Sequence, residues 1–223
     1  MQSDLDQYRE TTSTEAFALQ NSKLLKVHLD QVTIQAKLGS MVAYQGDVKF
    51  EHAGMGGIGR MLKKAVTGEG QSLMKVSGQG EVFLADTAQD VHLLRLDDDR
   101  ITVNGLNVLA FDAGIDWDIE RVKSVSGMMG GGLFNTRLEG TGWVAVLSDG
   151  PPVRLDVTEG ATFADAQAAV AWSSGVTTSL KTDVSVKTLI GRGSGETFQI
   201  AFGGQGWVLV QPSEGRIVVT SQT

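Results

Sequence analysis

The chain has 223 residues and a mass of 23.7 kDa, is 41 % hydrophobic and 20 % charged, and carries a formal net charge of −7 with no cysteine. That length buries a real core, while the missing cysteines remove disulfides, zinc–thiolate sites and thiol nucleophiles together. The acidic balance argues against a chain built to coat nucleic acid, and no apolar run approaches the roughly 20 residues of a membrane-spanning helix.

In chain order, residues 1–16 (MQSDLDQYRETTSTEA) are polar and acidic and read as a lead-in without a secretory leader; a cytoplasmic location is the matching expectation. From residue 17 to 223 one domain is expected. Its 28 glycines against 3 prolines, with short alternating runs of Val, Ile and Thr, point to an all-β protein rich in tight turns. In Lys26-Val27-His28-Leu29-Asp30, Val27 and Leu29 share one face of a strand, and Arg216–Thr220 reads as a last strand. Only Arg60–Val66 (RMLKKAV) predicts a helix, of about two turns.

Three segments align without a gap: Ile34–Tyr44 (IQAKLGSMVAY), Ile101–Phe111 (ITVNGLNVLAF) and Thr162–Trp172 (TFADAQAAVAW). Each ends in an aliphatic residue, Ala and an aromatic. Each is followed by a Gly-x-Gly and a strand, at Gly78-Gln-Gly80, Gly140-Thr-Gly142 and Gly204-Gln-Gly206, the second glycines lying 62 and 64 residues apart. The reading is three pseudo-repeats, about 24–86, 87–148 and 149–212, which must share a core because no single unit can bury its own apolar face. Tyr44, Phe111, Trp172, Trp143 and Trp207 are its expected core aromatics. Gly46, Gly114 and Gly175 mark expected turns, and Gly80, Gly142 and Gly206 serve backbone geometry.

Between the two signatures each repeat carries a glycine-rich tip: Gly54–Gly59, Gly127–Gly132 and Gly191–Gly195. With their flanks (54–64, 121–137 and 181–192) the tips hold Arg60, Lys63, Lys64, Arg121, Lys123, Arg137, Lys181, Lys187 and Arg192, nine of the chain's 19 basic residues, against one acid, Asp183. Apolar Met55, Ile58, Met61, Leu62, Met128, Met129, Leu133, Phe134, Leu189 and Ile190 lie among them. Basic residues beside an anionic bilayer contribute about 1 kcal/mol each, and inserted apolar groups add to that.

Other patterns carry less. Gly54-Met-Gly-Gly-Ile-Gly59 matches GxGxxG, but no parallel βαβ unit surrounds it, as dinucleotide binding requires. His28 and Asp30 on one strand face, with His92 one repeat later, outline an iron triad, the least favoured reading. No GxSxG elbow supports a Ser nucleophile, and Asp97-Asp98-Asp99 reads as a solvated turn before Ile101 rather than a calcium loop.

Met129-Gly-Gly-Gly-Leu-Phe134 and Leu138-Glu-Gly-Thr-Gly-Trp143, with Val-Leu-Ala-Phe upstream, resemble the AIM24 family over roughly Phe17 to Val219. This is a group of uncharacterised proteins that includes a mitochondrial biogenesis protein, and its mitochondrial members are associated with the inner membrane and its organisation. The resemblance implies a fold similar to the tryptophan RNA-binding attenuation protein, a double-stranded β-helix, and brings no catalytic residues with it.

The expectation is therefore a non-enzymatic interaction or scaffolding protein with no metal or cofactor. It docks on an anionic membrane or acidic partner through Arg60, Lys63, Lys64, Arg121, Lys123, Arg137, Lys187 and Arg192, with Met55, Ile58, Met128, Met129, Leu133 and Phe134 as apolar tips. A homo-oligomer with the tips at subunit interfaces is the alternative. No nucleic-acid partner and no small-molecule substrate is expected.

Overall fold

β-branched and aromatic residues alternating with polar ones favour extended backbone, and most of the described residues follow that preference. The computed structural model describes residues 4–30, 32–52, 72–121, 134–158, 160–181 and 199–213. Among them are fifteen strands, two 3-10 turns and no α-helix; the helix expected at Arg60–Val66 lies outside the described residues.

The first third holds β1 (Phe17–Asn21), β2 (Leu24–His28), β3 (Ile34–Lys37), β4 (Met41–His52) and β5 (Leu73–Leu84). The middle third holds β6 (Asp90–Asn104), β7 (Val108–Asp112), β8 (Asp116–Arg121) and β9 (Phe134–Ser148). The last third holds β10 (Val153–Val157), β11 (Thr162–Asp165), β12 (Ala169–Ser173), β13 (Val176–Lys181), β14 (Gln199–Gly204) and β15 (Gly206–Val210).

The strands fall into two compact units. The first comprises Met1–Asp98, Val108–Asp116 and Gly140–Leu147, and the second Asp99–Asn107, Trp117–Glu139 and Ser148–Thr223. In the first, β5 has β4 along one edge, and β2 and then β3 along the other, while β3 also pairs with β7 and β7 with β9. Its core gathers Phe17, Leu25, Val27, Leu29, Ile34, Ala36, Val76, Val82, Leu84 and Leu109. In the second unit, β6, β12, β15 and β10 pair in that order, β8 pairs β9, and β11, β14 and β13 form a three-stranded sheet. Its core gathers Val157, Ala169, Trp172, Ile200, Phe202 and Val208.

The registers are equal across the three segments. Tyr44 faces Val82, Phe111 faces Val144 and Trp172 faces Val208, each partner lying two residues beyond the second glycine. Met41 faces Leu84, Val108 faces Val146 and Ala169 faces Val210, so a bulge falls at the same place each time. The strand that opens each block agrees as well: Ile34 faces Val76 and Thr162 faces Phe202, four residues before the second glycine.

Three expectations need correction. Tyr44 is not a core residue: it is 51 % exposed, whereas Phe111 is 0 % and Trp172 4 % exposed. The burial difference follows from neighbours, because Phe111 and Trp172 are flanked by strands on both sides and Tyr44 has only β5 beside it among the described residues. Trp143 and Trp207 are half-buried, each under an arginine, Arg95 at 5.3 Å and Arg154 at 5.9 Å from the ring centre. Gly46 is not a turn either, since β4 runs through it. It is a bend: Tyr44 and Phe50, which would lie about 20 Å apart on a straight strand, have ring centres 5.4 Å apart. Finally, Asp97, Asp98 and Asp99 lie inside β6. Asp98 takes φ 50°, and its N–H donates to Thr141 Oγ1 at 2.9 Å.

Candidate functional site

The tips Gly54–Gly59, Gly127–Gly132 and Gly191–Gly195 lie outside the described residues, and the strands on either side of them are described. β4 and β5 stay paired to His52 and Met74, and β13 and β14 to Lys181 and Gln199; β8 ends at Arg121 and β9 begins at Phe134. The glycine pairs shape the bases of these arms. Gly78, Gly80, Gly140, Gly142, Gly204 and Gly206 all take positive φ. On Gly78 and Gly80 a Cβ would fall 2.0 Å from the carbonyl oxygens of Asp47 and Gln45.

Two of the three bases carry a side-chain brace. Asp112 Oδ2 accepts the Trp143 N–H at 2.6 Å, and Ser173 Oγ, at the equivalent position, accepts the Trp207 N–H at 3.0 Å. There β7 and β12 end, and the side chain replaces the lost ladder bond. In the first segment the ladder continues instead, with Gln45 facing Glu81 and Gly46 facing Gly80. Burial pushes the Asp112 carboxyl above its ordinary value, against the pull of the Trp143 N–H and the Arg95 charge.

Of the basic residues expected to bind, Arg60, Lys63, Lys64, Lys123, Lys187 and Arg192 lie outside the described residues, as do Met55, Ile58, Met128, Met129 and Leu133. Arg121 is the last residue of β8. Arg137 is held between Glu139 at 3.1 Å and Glu120 at 3.7 Å, so its charge is partly answered within the sheet. Phe134 is half-buried, its ring covering Gly105 so closely that a Cβ there would meet the ring at 1.8 Å.

The histidines do not converge on a metal. His28 Nδ1 lies 3.6 Å from Glu81, Asp30 is exposed, and burial pushes the His92 imidazole below its ordinary value. No group of three His, Cys, Asp or Glu suited to an ion occurs among the described residues. Two open grooves lie in the second unit. One of about 570 Å³ is lined by Thr158, Thr177, Thr178, Ser179 and Gln205, and one of about 210 Å³ by Arg100, Glu120, Asn135, Arg137 and Ser174.

Sequence reading missed one cluster. Lys26 is 4 % exposed, and its ammonium donates to Glu10 at 2.6 Å, Glu81 at 2.7 Å and the Thr11 carbonyl at 3.2 Å. Glu10 is also bonded by Gln45 Nε2 at 3.1 Å. Burial opposes the Lys26 charge, but its hydrogen bonds to both carboxylates outweigh that and hold its pKa above the ordinary value; the Lys26 bond in turn lowers that of Glu81. Alternation puts Lys26 opposite the core-facing Val27, on the face an isolated strand shows to water. Nothing local announces that the lead-in folds over it.

No helix of the described residues is long and apolar enough to cross a membrane. The chain is similar in fold to the crystal structure of protein SPYM3_0169 from Streptococcus pyogenes. The TM-score is 0.72 at 24 % identity, covering 88 % of this chain and 92 % of that one. No curated protein matches. The family model for mitochondrial biogenesis AIM24 matches residues 17–213, and with that span, which takes in all three glycine arms, the chain belongs to the AIM24 family.

Proposed function

We propose that this chain is a non-enzymatic interaction or scaffolding protein, cytoplasmic, that docks on an anionic membrane or acidic partner through its three basic, Gly/Met-rich tips. The reading treats the chain as one β unit written three times. Its main support is the charge distribution: nine basic residues and one acid gather in segments 54–64, 121–137 and 181–192, inside a chain of net charge −7. The strands before and after residues 53–71 and 182–198 are paired to their last described residues, which supports the reading. Cations at such ends gain from an anionic bilayer, and apolar neighbours add by insertion.

Vesicle flotation tests it. The chain should float with anionic vesicles and not with neutral ones, and raised salt should weaken the binding. Replacing Arg60, Lys63 and Lys64 by Glu should weaken it further. Equal, salt-insensitive binding to both vesicle types, or none to either, would sink the docking reading.

A further inference from the structure

β4 is an open edge of the first unit's sheet, since among the described residues it pairs only with β5. The equivalent strands β7 and β12 each have a second antiparallel neighbour, β3 and β6. The two faces of β4 differ. Tyr44 faces Val82 and Phe50 faces Val76, and residues directly opposed on antiparallel strands share a face. Val76 and Val82 are 0 % exposed and Val48 packs against the same core, whereas Tyr44 is 51 % and Phe50 36 % exposed. The apolar layer thus runs out to the strand edge and ends there uncovered.

The other face is charged. Asp47, Lys49 and Glu51 alternate along it, all exposed, and none of the three has an ion-pair partner among the described residues. Opposite charges two residues apart on an open edge are complementary to the same edge turned round by a two-fold axis. With Val48 on that axis and the strands antiparallel, residues 44–52 overlap, Asp47 of each copy faces Lys49 of the other, and Gly46 faces Phe50. The neighbouring registers are worse. An axis through Asp47 sets Asp47 against Asp47, and one through Lys49 sets Lys49 against Lys49 and Asp47 against Glu51, all like charges. An axis through Gly46 leaves every charge opposite an uncharged residue, and one through Phe50 overlaps only residues 48–52.

We propose that β4 pairs antiparallel with β4 of a second copy of this chain, about a two-fold axis at Val48. The open N–H and C=O groups of each edge then satisfy those of the other. On the apolar face, the Phe50 ring of each copy comes over Gly46 of the other, which has no side chain to oppose it. The two Tyr44–Phe50 ring pairs, each edge-on at 5.4 Å, then meet in one apolar cluster. The occupant is a second copy rather than a foreign strand because the charge order of this edge matches itself in reverse. The contact is isologous, so it closes at two chains and does not propagate. It rests on the sheet edge and not on the tips.

The chain has no cysteine, which makes the test direct. Light scattering of the unaltered chain at micromolar concentration should give twice 23.7 kDa. Val48→Cys should form a covalent dimer with itself under mild oxidation, because directly opposed strand positions meet disulfide geometry. Leu19→Cys, exposed on β1, should not. Lys49→Asp sets like charges against each other at both ends of the axis and should weaken association about tenfold or more. Asp47→Lys and Lys49→Asp in one chain reverse both pairs and should restore it. Both positions are exposed, so circular dichroism should show each charge variant folded. A chain that stays monomeric leaves this edge to some other strand and overturns the proposal. So does a dimer that neither cross-links through Val48→Cys nor responds to Lys49→Asp, since it forms elsewhere. A dimer that ignores anionic vesicles sinks the docking reading alone, and a monomer that floats with them sinks this inference alone.

Discussion

At the scale of single residues, the glycines of the arm bases are constrained more than the other positions. Gly80 takes φ 139°, and a Cβ there would sit 2.0 Å from the Gln45 carbonyl oxygen. Neither the backbone of β4 nor that of β5 can retreat without breaking their ladder. Gly39 also takes positive φ, 86°, but has nothing within 4 Å of its missing Cβ. Gly80→Ala should therefore lower stability by about 3 kcal/mol or more, strain and clash together. Gly39→Ala carries strain alone and should lose about 1 kcal/mol. Urea denaturation of the two variants separates these effects; equal losses would show that the clash is relieved by a shift of the backbone.

At the scale of elements, the same corner is built in two ways. β4 continues through its glycine, keeping the ladder, while β7 and β12 stop and leave an N–H that a side chain must satisfy. Ser173→Ala should cost about 1 kcal/mol, the value of one such hydrogen bond with the Trp207 N–H left unpaired. Asp112→Asn should cost less or stabilise. Its amide oxygen still accepts the Trp143 N–H, and the half-buried carboxylate charge, disfavoured by burial, is gone. Thermal melts at neutral pH check both. If Asp112→Asn loses as much as Ser173→Ala, the charge itself matters to the corner, through Arg95.

At the scale of the whole molecule, ionisable groups set the pH range of the fold. Glu81 is lowered from 4.5 first by its bond from Lys26, so its contribution is present above pH 4.5 and is lost as pH falls through the folded value. His92 is lowered from 6.5, so protonation below that pH favours the unfolded chain. Asp112 acts oppositely: raised from 3.8, it stabilises in acid and loses that contribution as pH rises through its folded value. Lys26 is raised above 10.5, and its contribution persists below that pH and is lost above it. The His92, Glu81 and Lys26 contributions are all in place between pH 6.5 and 10.5; above that plateau stability should decline as Lys26 deprotonates, and below it His92 and then Glu81 withdraw stability while Asp112 offsets part of the loss. Lys26→Met should lower the plateau by about 2 kcal/mol, below the 3–5 kcal/mol of a fully buried pair because Glu10 and Glu81 can still reach water. It should also remove the alkaline decline. Hydrogen exchange over residues 9–16 should rise in the same variant, since the Glu10 bond tethers that segment.

The β character, the three aligned blocks and the special glycines were legible in the amino-acid order, because alternation, turn chemistry and positive φ are local properties that a residue type either permits or forbids. The clustering of basic residues in the tips was legible too, being a matter of counting. Burial was not. Val42-Ala43-Tyr44 reads like Leu109-Ala110-Phe111 and meets its partner strand in the same register, yet only the second is covered, because what covers it is a strand distant in the chain. Lys26 shows the converse: a cation on the polar face of an alternating strand became buried because Glu10 crossed over it. Neighbours along the chain determined which strands form and where they bend, while distant segments decided which of two equivalent faces is interior, since solvent exclusion depends on everything within reach in space.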